Sequence, residues 1–356
     1  MARISFILPS YPRSPVGGYK IVFLYANHLA RRGHEVFVLN MRARELSAIP
    51  IHKQLALRAA YRAGRRRRPR WFVFEPTVQV LNHVEMRREL IPPSDLVIAT
   101  SVATADIVQS LAGPGCGALY FIQHFEDFTH SPEEVIRTWS LPMHRVVVSA
   151  WLADIAGRHG LATTLVENGV DRSCFSPGPR QADRPPRVLA MVSDQRFKRT
   201  DVVEAVYQRL AAALPSARLV TFGTCERPPS LPSSATHVVD PRVDALARLY
   251  QQSQVFLCAS DFEGFGLPAL EAMSCGAAVV STDNGGVPAF AGSAARYARP
   301  GNVDELLTMT VGLLRDEADR AALASLGLAR AAELSLESTT RGFESVVEEE
   351  LGSLVS

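Results

Sequence analysis

Short apolar runs alternate with amphipathic, helix-like stretches along the whole chain. Ile4 to Leu8 is a mostly apolar run, apolar positions at helical spacing follow from about Gly18 to Arg32, and Gly33 closes them before a second run, Glu35 to Leu39. Trp71 to Phe74, Leu96 to Ala99, Leu119 to Ile122 and Val146 to Val148 predict further buried strands, with helical stretches between several of them. Runs so short and so uniformly apolar suit strands covered on both faces. Alternation with helices then implies a parallel sheet.

A polar, proline-rich stretch from Ser176 to Pro186 interrupts the pattern, and the same alternation restarts at Val188 to Val192. The second half predicts helices over about 200–213, 243–252, 267–274 and from about Val303, with strands over Ala217 to Phe222, His237 to Val239, Val255 to Cys258 and Ala277 to Val280. The expected architecture is α/β: two doubly wound, Rossmann-like domains, 1–180 and 181–335, facing each other across a ligand-binding cleft. Residues 336–356 are expected to form a C-terminal helix packing back on the first domain. Its apolar stripe is Phe343, Val346, Val347 and Leu351, and its acidic end, Glu348 to Glu350, opposes the helix dipole.

Composition narrows the class. The chain has 356 residues, enough for two cores, and its 47% hydrophobic content excludes a disordered protein. A formal charge of +2 gives no overall reason to expect a polyanionic partner. Five scattered cysteines without CxxC pairs suggest a reducing compartment and no structural zinc. The first apolar run is too short for a signal-peptide core and nothing approaches a membrane span, so a soluble cytoplasmic protein is expected.

Candidate chemistry concentrates in Asp261 to Gly276. Pro268 suits the first position of a helix and Gly276 the position just past its end, so helix 267–274 starts directly after the glycines Gly264 and Gly266. A helix terminus of this kind presents N–H groups and partial positive charge, which suits a diphosphate seated on Phe265, Gly266 and Leu267. Glu263 in the loop and Glu271 one turn into the helix then lie toward the two ends of that diphosphate, where each can accept hydrogen bonds from sugar hydroxyls. Taken alone, two such acids are more commonly solvated surface groups. The whole run is more specific than the pair.

This run resembles the E-x7-E signature of the retaining glycosyltransferases of family 4, which have the GT-B fold. The likeness rests on Glu263 to Pro268, Glu271-Ala272-Met273, Cys275-Gly276 and Asn284 to Val287. It extends to Pro15 to Lys20, Glu167 to Asp171 with Phe175-Ser176-Pro177, and Phe197 to Asp201. The resemblance implies that Glu263 contacts the transferred sugar, Glu271 the ribose and Lys198 the donor phosphates. It also implies a second helix terminus at Gly17-Gly18, a turn beside the nucleotide at Gly223, and a base-contacting loop at Asp240-Pro241. His124 is expected near the transferred sugar, although a lone histidine is more often structural. Where the family has an arginine before the lysine this chain has Ser193; Arg196 is the nearest substitute, and a solvated Arg196 is the competing reading. Retention by front-side attack is implied, with charge stabilisation from the helix, Lys198 and Arg196 in place of a metal. The sequence shows neither a DxD motif nor a His/Asp ligand cluster, so a nucleotide-diphosphate sugar is the expected co-substrate and no cofactor is required. Pro15 to Lys20, Tyr25 to Asn27 and Gln123 to Phe128 are similar to rhamnosyl- and related deoxysugar transferases.

Arg65 to Arg70 holds five arginines and follows Arg42, Arg44, Lys53, Arg58 and Arg62. One reading is a patch for anionic lipid headgroups at the inner face of a membrane, serving a lipid-linked acceptor, with a glycan or small molecule as the other acceptor classes. The other is a solvated loop and helix face. Nucleic acid is not expected, because no aromatic interleaving or recognition motif accompanies the charge. A sugar phosphorylase of the same architecture and a basic membrane or nucleic-acid adaptor stand as alternative functions.

Overall fold

The computed structural model describes residues 1–42, 61, 64–178 and 185–354. In chain order the elements are β1 (Arg3–Leu8), α1 (Gly17–Arg31), β2 (Glu35–Met41), β3 (Gln79–Val84), β4 (Leu96–Ala99), α2 (Val102–Leu111), β5 (Gly117–Ile122), α3 (Pro132–Trp139), β6 (His144–Val147), α4 (Ala150–Arg158) and β7 (Thr164–Leu165). They continue with β8 (Arg187–Met191), α5 (Thr200–Ala213), β9 (Arg218–Gly223), β10 (Thr236–Val239), α6 (Val243–Gln251), β11 (Val255–Cys258), α7 (Leu267–Ser274), β12 (Ala278–Thr282), α8 (Gly286–Ala291), β13 (Ala295–Ala298), α9 (Val303–Arg315), α10 (Glu317–Glu333) and α11 (Leu336–Ser353). These form two units. The first takes residues 1–148, 152–166 and 340–356; the second takes 149–151 and 167–339.

In the first unit seven strands pair in the order β3-β2-β1-β4-β5-β6-β7, every pair parallel. In the second, six strands pair as β10-β9-β8-β11-β12-β13, again all parallel. Both orders are the same 3-2-1-4-5-6 permutation, so each sheet reverses direction beside its own first strand, the place where doubly wound sheets bind ligands. The central strands are buried nearly throughout, as their uniform apolar runs require, and β5 has no exposed residue, whereas the edge strands β7 and β10 have no buried one. In the second unit Val188, Ala190, Leu257 and Val280 from the sheet pack with Val202, Val206 and Leu210 of α5 and Leu306 and Leu313 of α9. The chain therefore has the GT-B class of fold, two Rossmann-like α/β domains.

Trp71 to Phe74 is not a strand. Its aromatic rings pack around Phe23 of α1, with centroids 5.5 Å away for Trp71, 5.2 Å for Phe72 and 4.7 Å for Phe74. Its backbone bonds to side chains instead of a ladder. Asn27 donates to the Val73 carbonyl at 2.9 Å and accepts from the Glu75 N–H at 2.8 Å. Arg68 reaches the carbonyls of Phe74, Glu75, Pro76 and Val78. The strand beside β2 is β3, five residues further on. Five elements of the second half, β13, α8, α10 and the 3-10 turns Arg196–Lys198 and Gly292–Ala294, were not foreseen by the apolar pattern. Most of the proline-rich stretch, and Arg44, Lys53, Arg58 and Arg62, lie outside the described residues.

Helix α11 reaches Ser353 and buries Phe343, Val346 and Val347. The Phe343 ring stacks on Tyr25 at 4.2 Å and meets Phe121 at 5.3 Å, both in the first unit. Of the acids at its end Glu350 is held by a partner, and Glu344, earlier in the helix, is held by two. Glu344 pairs with His28 at 2.8 Å and Arg32 at 2.5 Å, and Glu350 lies 3.2 Å from His144.

Candidate functional site

The two strands flanking the reversal of the second sheet are β8 and β11, and the loops that leave their carboxyl ends carry Lys198 and Glu263. The first loop ends in the Arg196–Lys198 turn, after which Arg199 takes a left-handed conformation, φ 49°. Three contacts fasten this turn to the second loop. The Asp261 N–H donates to the Phe197 carbonyl at 2.8 Å, Arg199 pairs with Asp261 at 2.9 Å, and the Phe197 and Phe262 rings stack at 4.9 Å. Lys198 is thereby carried over Glu263, and its Nζ donates to Oε1 at 2.7 Å and Oε2 at 2.8 Å. Ser260 Oγ also donates to Oε1 at 2.7 Å. Glu263 is buried, 6% exposed, so the carboxylate is held rather than solvated.

The backbone around Glu263 is fixed equally closely. Its N–H donates to the Asn284 carbonyl at 2.9 Å. The next carbonyl, of Gly264, accepts from Ser149 Oγ at 2.7 Å and Trp151 Nε1 at 3.1 Å. Gly286 must be glycine here, since a Cβ would fall 2.7 Å from the Glu263 carbonyl oxygen and 2.8 Å from that of Phe265. Gly266 sits at φ 101° and caps α7, and a Cβ on it would meet Val287 at 2.5 Å. Pro268 occupies the second helical position, one later than its fitness for the first suggests; both lack a ladder partner, so either tolerates the missing N–H. The ladder begins with the Ala269 N–H donating to the Gly266 carbonyl, which leaves the Gly266 and Leu267 N–H groups ahead of it. Phe265 is buried and stacks on Phe290 at 4.6 Å, so only its backbone is available to a ligand. Glu271 is 6% exposed, and Tyr250 OH donates to it at 3.2 Å. Met191, Cys258, Ser260, Glu263, Gly266 and Ala269 line a small cavity under the loop.

Lys198, Glu263, Phe265, Gly266, Leu267 and Glu271 thus belong to one local structure. Gly223 and Asp240 form a second group: the Asp240 N–H donates to the Gly223 carbonyl at 2.7 Å, and Asp240 takes φ 44° before Pro241. A Cβ on Gly223 would lie 2.2 Å from the Val192 carbonyl oxygen, which explains the glycine at the end of β9. Arg196 is exposed. Gly17, Gly18 and His124 are in the first unit. Gly18 lies against Gln123, its Cβ position 3.3 Å from Oε1, and His124 Nδ1 bonds the Phe125 carbonyl at 2.9 Å. Helix α1 starts at Gly17 with no side-chain cap.

Ser260, Tyr250 and Asn284 escaped the sequence reading as supports of the two glutamates. A serine three residues before Glu263 was the readable signal, because a loop of that length brings its hydroxyl onto the same carboxylate. Tyr250 gave none, being 21 residues away on another helix. Among the described residues no three His, Cys, Asp or Glu side chains converge as a metal site, and no helix is long and apolar enough to cross a membrane.

Comparison with known proteins bears on the same unit. Residues 187–316 match the family described as Glycosyl transferases group 1, a span that includes Lys198, Glu263 and Glu271. O-antigen chain mannosyltransferase B of Escherichia coli is 39% identical over 95 residues, 27% of this chain and 25% of that protein. D-inositol 3-phosphate glycosyltransferase of Mycolicibacterium paratuberculosis is 32% identical over 201 residues, 49% of this chain and 45% of that one. The alignments therefore span less than half the length of these curated relatives. Sucrose-phosphate synthase from Thermosynechococcus elongatus shares the fold, with a TM-score of 0.78 at 16% identity over 99% of this chain and 100% of the other. The group 1 match and the shared fold place the Glu263 and Glu271 loop in a recognisable context.

Proposed function

We propose that the protein is a retaining, metal-independent glycosyltransferase that moves a sugar from a nucleoside diphosphate donor to an acceptor. The observation that carries this reading is the buried Lys198–Glu263 pair at the reversal of the second sheet, with the start of α7 beside it and Glu271 further along that helix. In this reading the Gly266 and Leu267 N–H groups and Lys198 take the diphosphate and stabilise it as the leaving group. Glu263 orients the transferred sugar and Glu271 grips the ribose. Gly223 and Asp240-Pro241 flank the base. His124, Gly17 and Gly18 serve the sugar and phosphates from the first unit, and Arg196 is an exposed cation near the phosphates. Front-side attack needs no protein nucleophile.

For the acceptor, the names of the relatives offer an O-antigen chain and D-inositol 3-phosphate; a glycan, lipid-linked or small-molecule hydroxyl is the proposed class. Exposed Arg66, Arg67 and Arg70, with Val73 87% exposed beside them, are the proposed contact with an anionic membrane surface. The deciding experiment is thermal stabilisation by uridine, thymidine and guanosine diphosphates, followed by transfer assays with the matching sugar nucleotides in the presence of EDTA. One nucleotide should raise the midpoint. Glu271→Ala should weaken its binding tenfold or more, and Glu263→Ala should chiefly lower kcat. No shift with any nucleoside diphosphate would sink the reading, and loss of activity in EDTA would sink metal independence.

A further inference from the structure

The first unit contains a cavity that the transferase reading leaves unused. It lies at the carboxyl ends of β2 and β3, has a volume of about 160 Å³, and is lined by Arg42, Tyr61, Arg65, Asn82, His83 and Glu85 among others. Carboxyl ends are the ligand-binding edge of a parallel sheet.

The strand pair is irregular at this point. Leu39 faces Leu81, but Met41 faces Val84, so β3 carries one residue more than β2 between the two registers. The extra residue is accommodated by His83, which adopts φ 56°, a left-handed conformation that a histidine takes only against its steric preference. Bulges of this kind re-aim a side chain, and strain of this kind gathers where a ligand is handled. Here the imidazole reaches the cavity wall, where the Tyr61 ring stacks on it at 4.4 Å with 21° between planes.

The arginines are also held. Asn82 is buried and donates through Nδ2 to the carbonyls of Gly64 at 2.9 Å and Arg67 at 2.6 Å, while its N–H donates to the Arg65 carbonyl at 2.8 Å. Asn40 donates in turn to Asn82 Oδ1 at 2.8 Å. The turn that begins the basic run is thus bolted to β3, and Arg65 is placed at the cavity by the sheet itself. Glu85 is the acid here. Arg42 pairs with it at 3.1 Å, and Arg87 does so at 2.5 Å from outside the lining, so in the lining Arg42 and Arg65 outnumber the carboxylate two to one.

We propose that this cavity binds a phosphate-class oxyanion carried by the acceptor, with Arg42, Arg65, His83 and the Tyr61 hydroxyl as donors. Planar guanidinium groups, Arg42 from the end of β2 and Arg65 from the turn fastened to β3, suit an oxyanion with several acceptor oxygens and repel a cation. The assignment to the acceptor rests on the transferase reading; the anion site itself does not.

The test is calorimetric titration of the full chain with inorganic phosphate, comparing wild type with Arg65→Ala and His83→Asn. Asparagine tolerates the left-handed backbone, so His83→Asn removes the imidazole without reshaping the bulge, and Arg65 is exposed enough for its variant to fold. Saturable binding in wild type, weakened tenfold or more in both variants and unchanged in the surface control Arg242→Ala, is expected. Absence of saturable binding in wild type, or affinities in both variants within twofold of wild type, overturns the proposal. Competition then identifies the source. Displacement by glucose 6-phosphate points to a soluble phosphorylated acceptor, and displacement by phosphatidylglycerol vesicles but not glucose 6-phosphate points to a lipid headgroup. Nucleoside diphosphate stabilisation without phosphate binding defeats only this inference; phosphate binding without nucleoside diphosphate stabilisation defeats the transferase reading and the assignment to an acceptor, and leaves the anion site.

Discussion

The side chains of Lys198 and Glu263 are 13% and 8% exposed, so little water reaches either partner of the pair. Breaking such a pair from one side leaves a buried ion uncompensated, at a cost of about 3–5 kcal/mol, whereas replacing both partners with neutral groups of similar size is close to neutral. Lys198→Ala should therefore destabilise the second unit by roughly 3 kcal/mol, moderated by the Ser260 hydroxyl that still donates to Glu263. The double variant Lys198→Met with Glu263→Gln should recover most of that loss while remaining inactive. Urea denaturation of the two variants measures both; equal stability of Lys198→Ala and wild type would mean the carboxylate is hydrated and the pair incidental. The glutamates themselves were legible because loop glycines, a helix-start proline and an eight-residue spacing leave few ways to arrange them. Of their supports Ser260 was within reach of the same run, but Tyr250 was not legible, since it reaches Glu271 only through the packing of α6 against α7.

At the scale of elements, the pattern succeeded where one physical cause dominated. Helices α5 and α7 and strands β4 and β11 begin and end where their apolar runs and glycine or proline boundaries place them. It failed at Trp71 to Phe74, where β-forming aromatics found a better use around Phe23 and where Asn27 and Arg68, 44 and six residues distant from Trp71 and Phe74 in the chain, satisfied the backbone. A side chain that substitutes for a sheet ladder leaves no periodic trace. Helix α11 shows the complementary case, in which acids at its end oppose the dipole by a few tenths of a kcal/mol but burial of one aromatic ring outweighs them. Phe343 is 1% exposed and stacks on Tyr25 and Phe121. Phe343→Ala should cost about 3–5 kcal/mol, whereas Glu349→Ala should change stability by less than about 0.5 kcal/mol. Protease resistance of the C-terminal segment reports the difference, and a Phe343→Ala chain as resistant as wild type would remove α11 from the first unit's core.

Considered as a whole, the molecule uses one strand permutation twice, and each sheet offers the loops at its reversal to chemistry. In the second unit those loops carry the ion pair. In the first, the loop after β4 runs into α2, and the loop after the neighbouring strand β5 brings Glu126 to the start of that helix, where its Oε1 accepts from the Val102 N–H at 3.2 Å. Burial pushes the Glu126 carboxyl up to about 7, and the Val102 N–H offsets this only in part. A raised folded-state value means that the folded chain keeps a proton which the unfolded chain releases near 4.5. The associated stability is complete below that value and is lost as pH climbs through about 7. His144, raised by its hydrogen bond to Glu350, loses its contribution in the same direction, so the wild-type profile alone mixes the two. Glu126→Gln separates them, because the amide keeps an oxygen for Val102 and stays neutral throughout. The variant should match wild type at pH 4 and exceed it at pH 8, by up to about 3 kcal/mol. Stability curves at the two pH values check this: a constant offset would show that Glu126 is solvated in the folded chain, and a Glu126→Gln variant weaker at pH 8 would show that its charge is needed there.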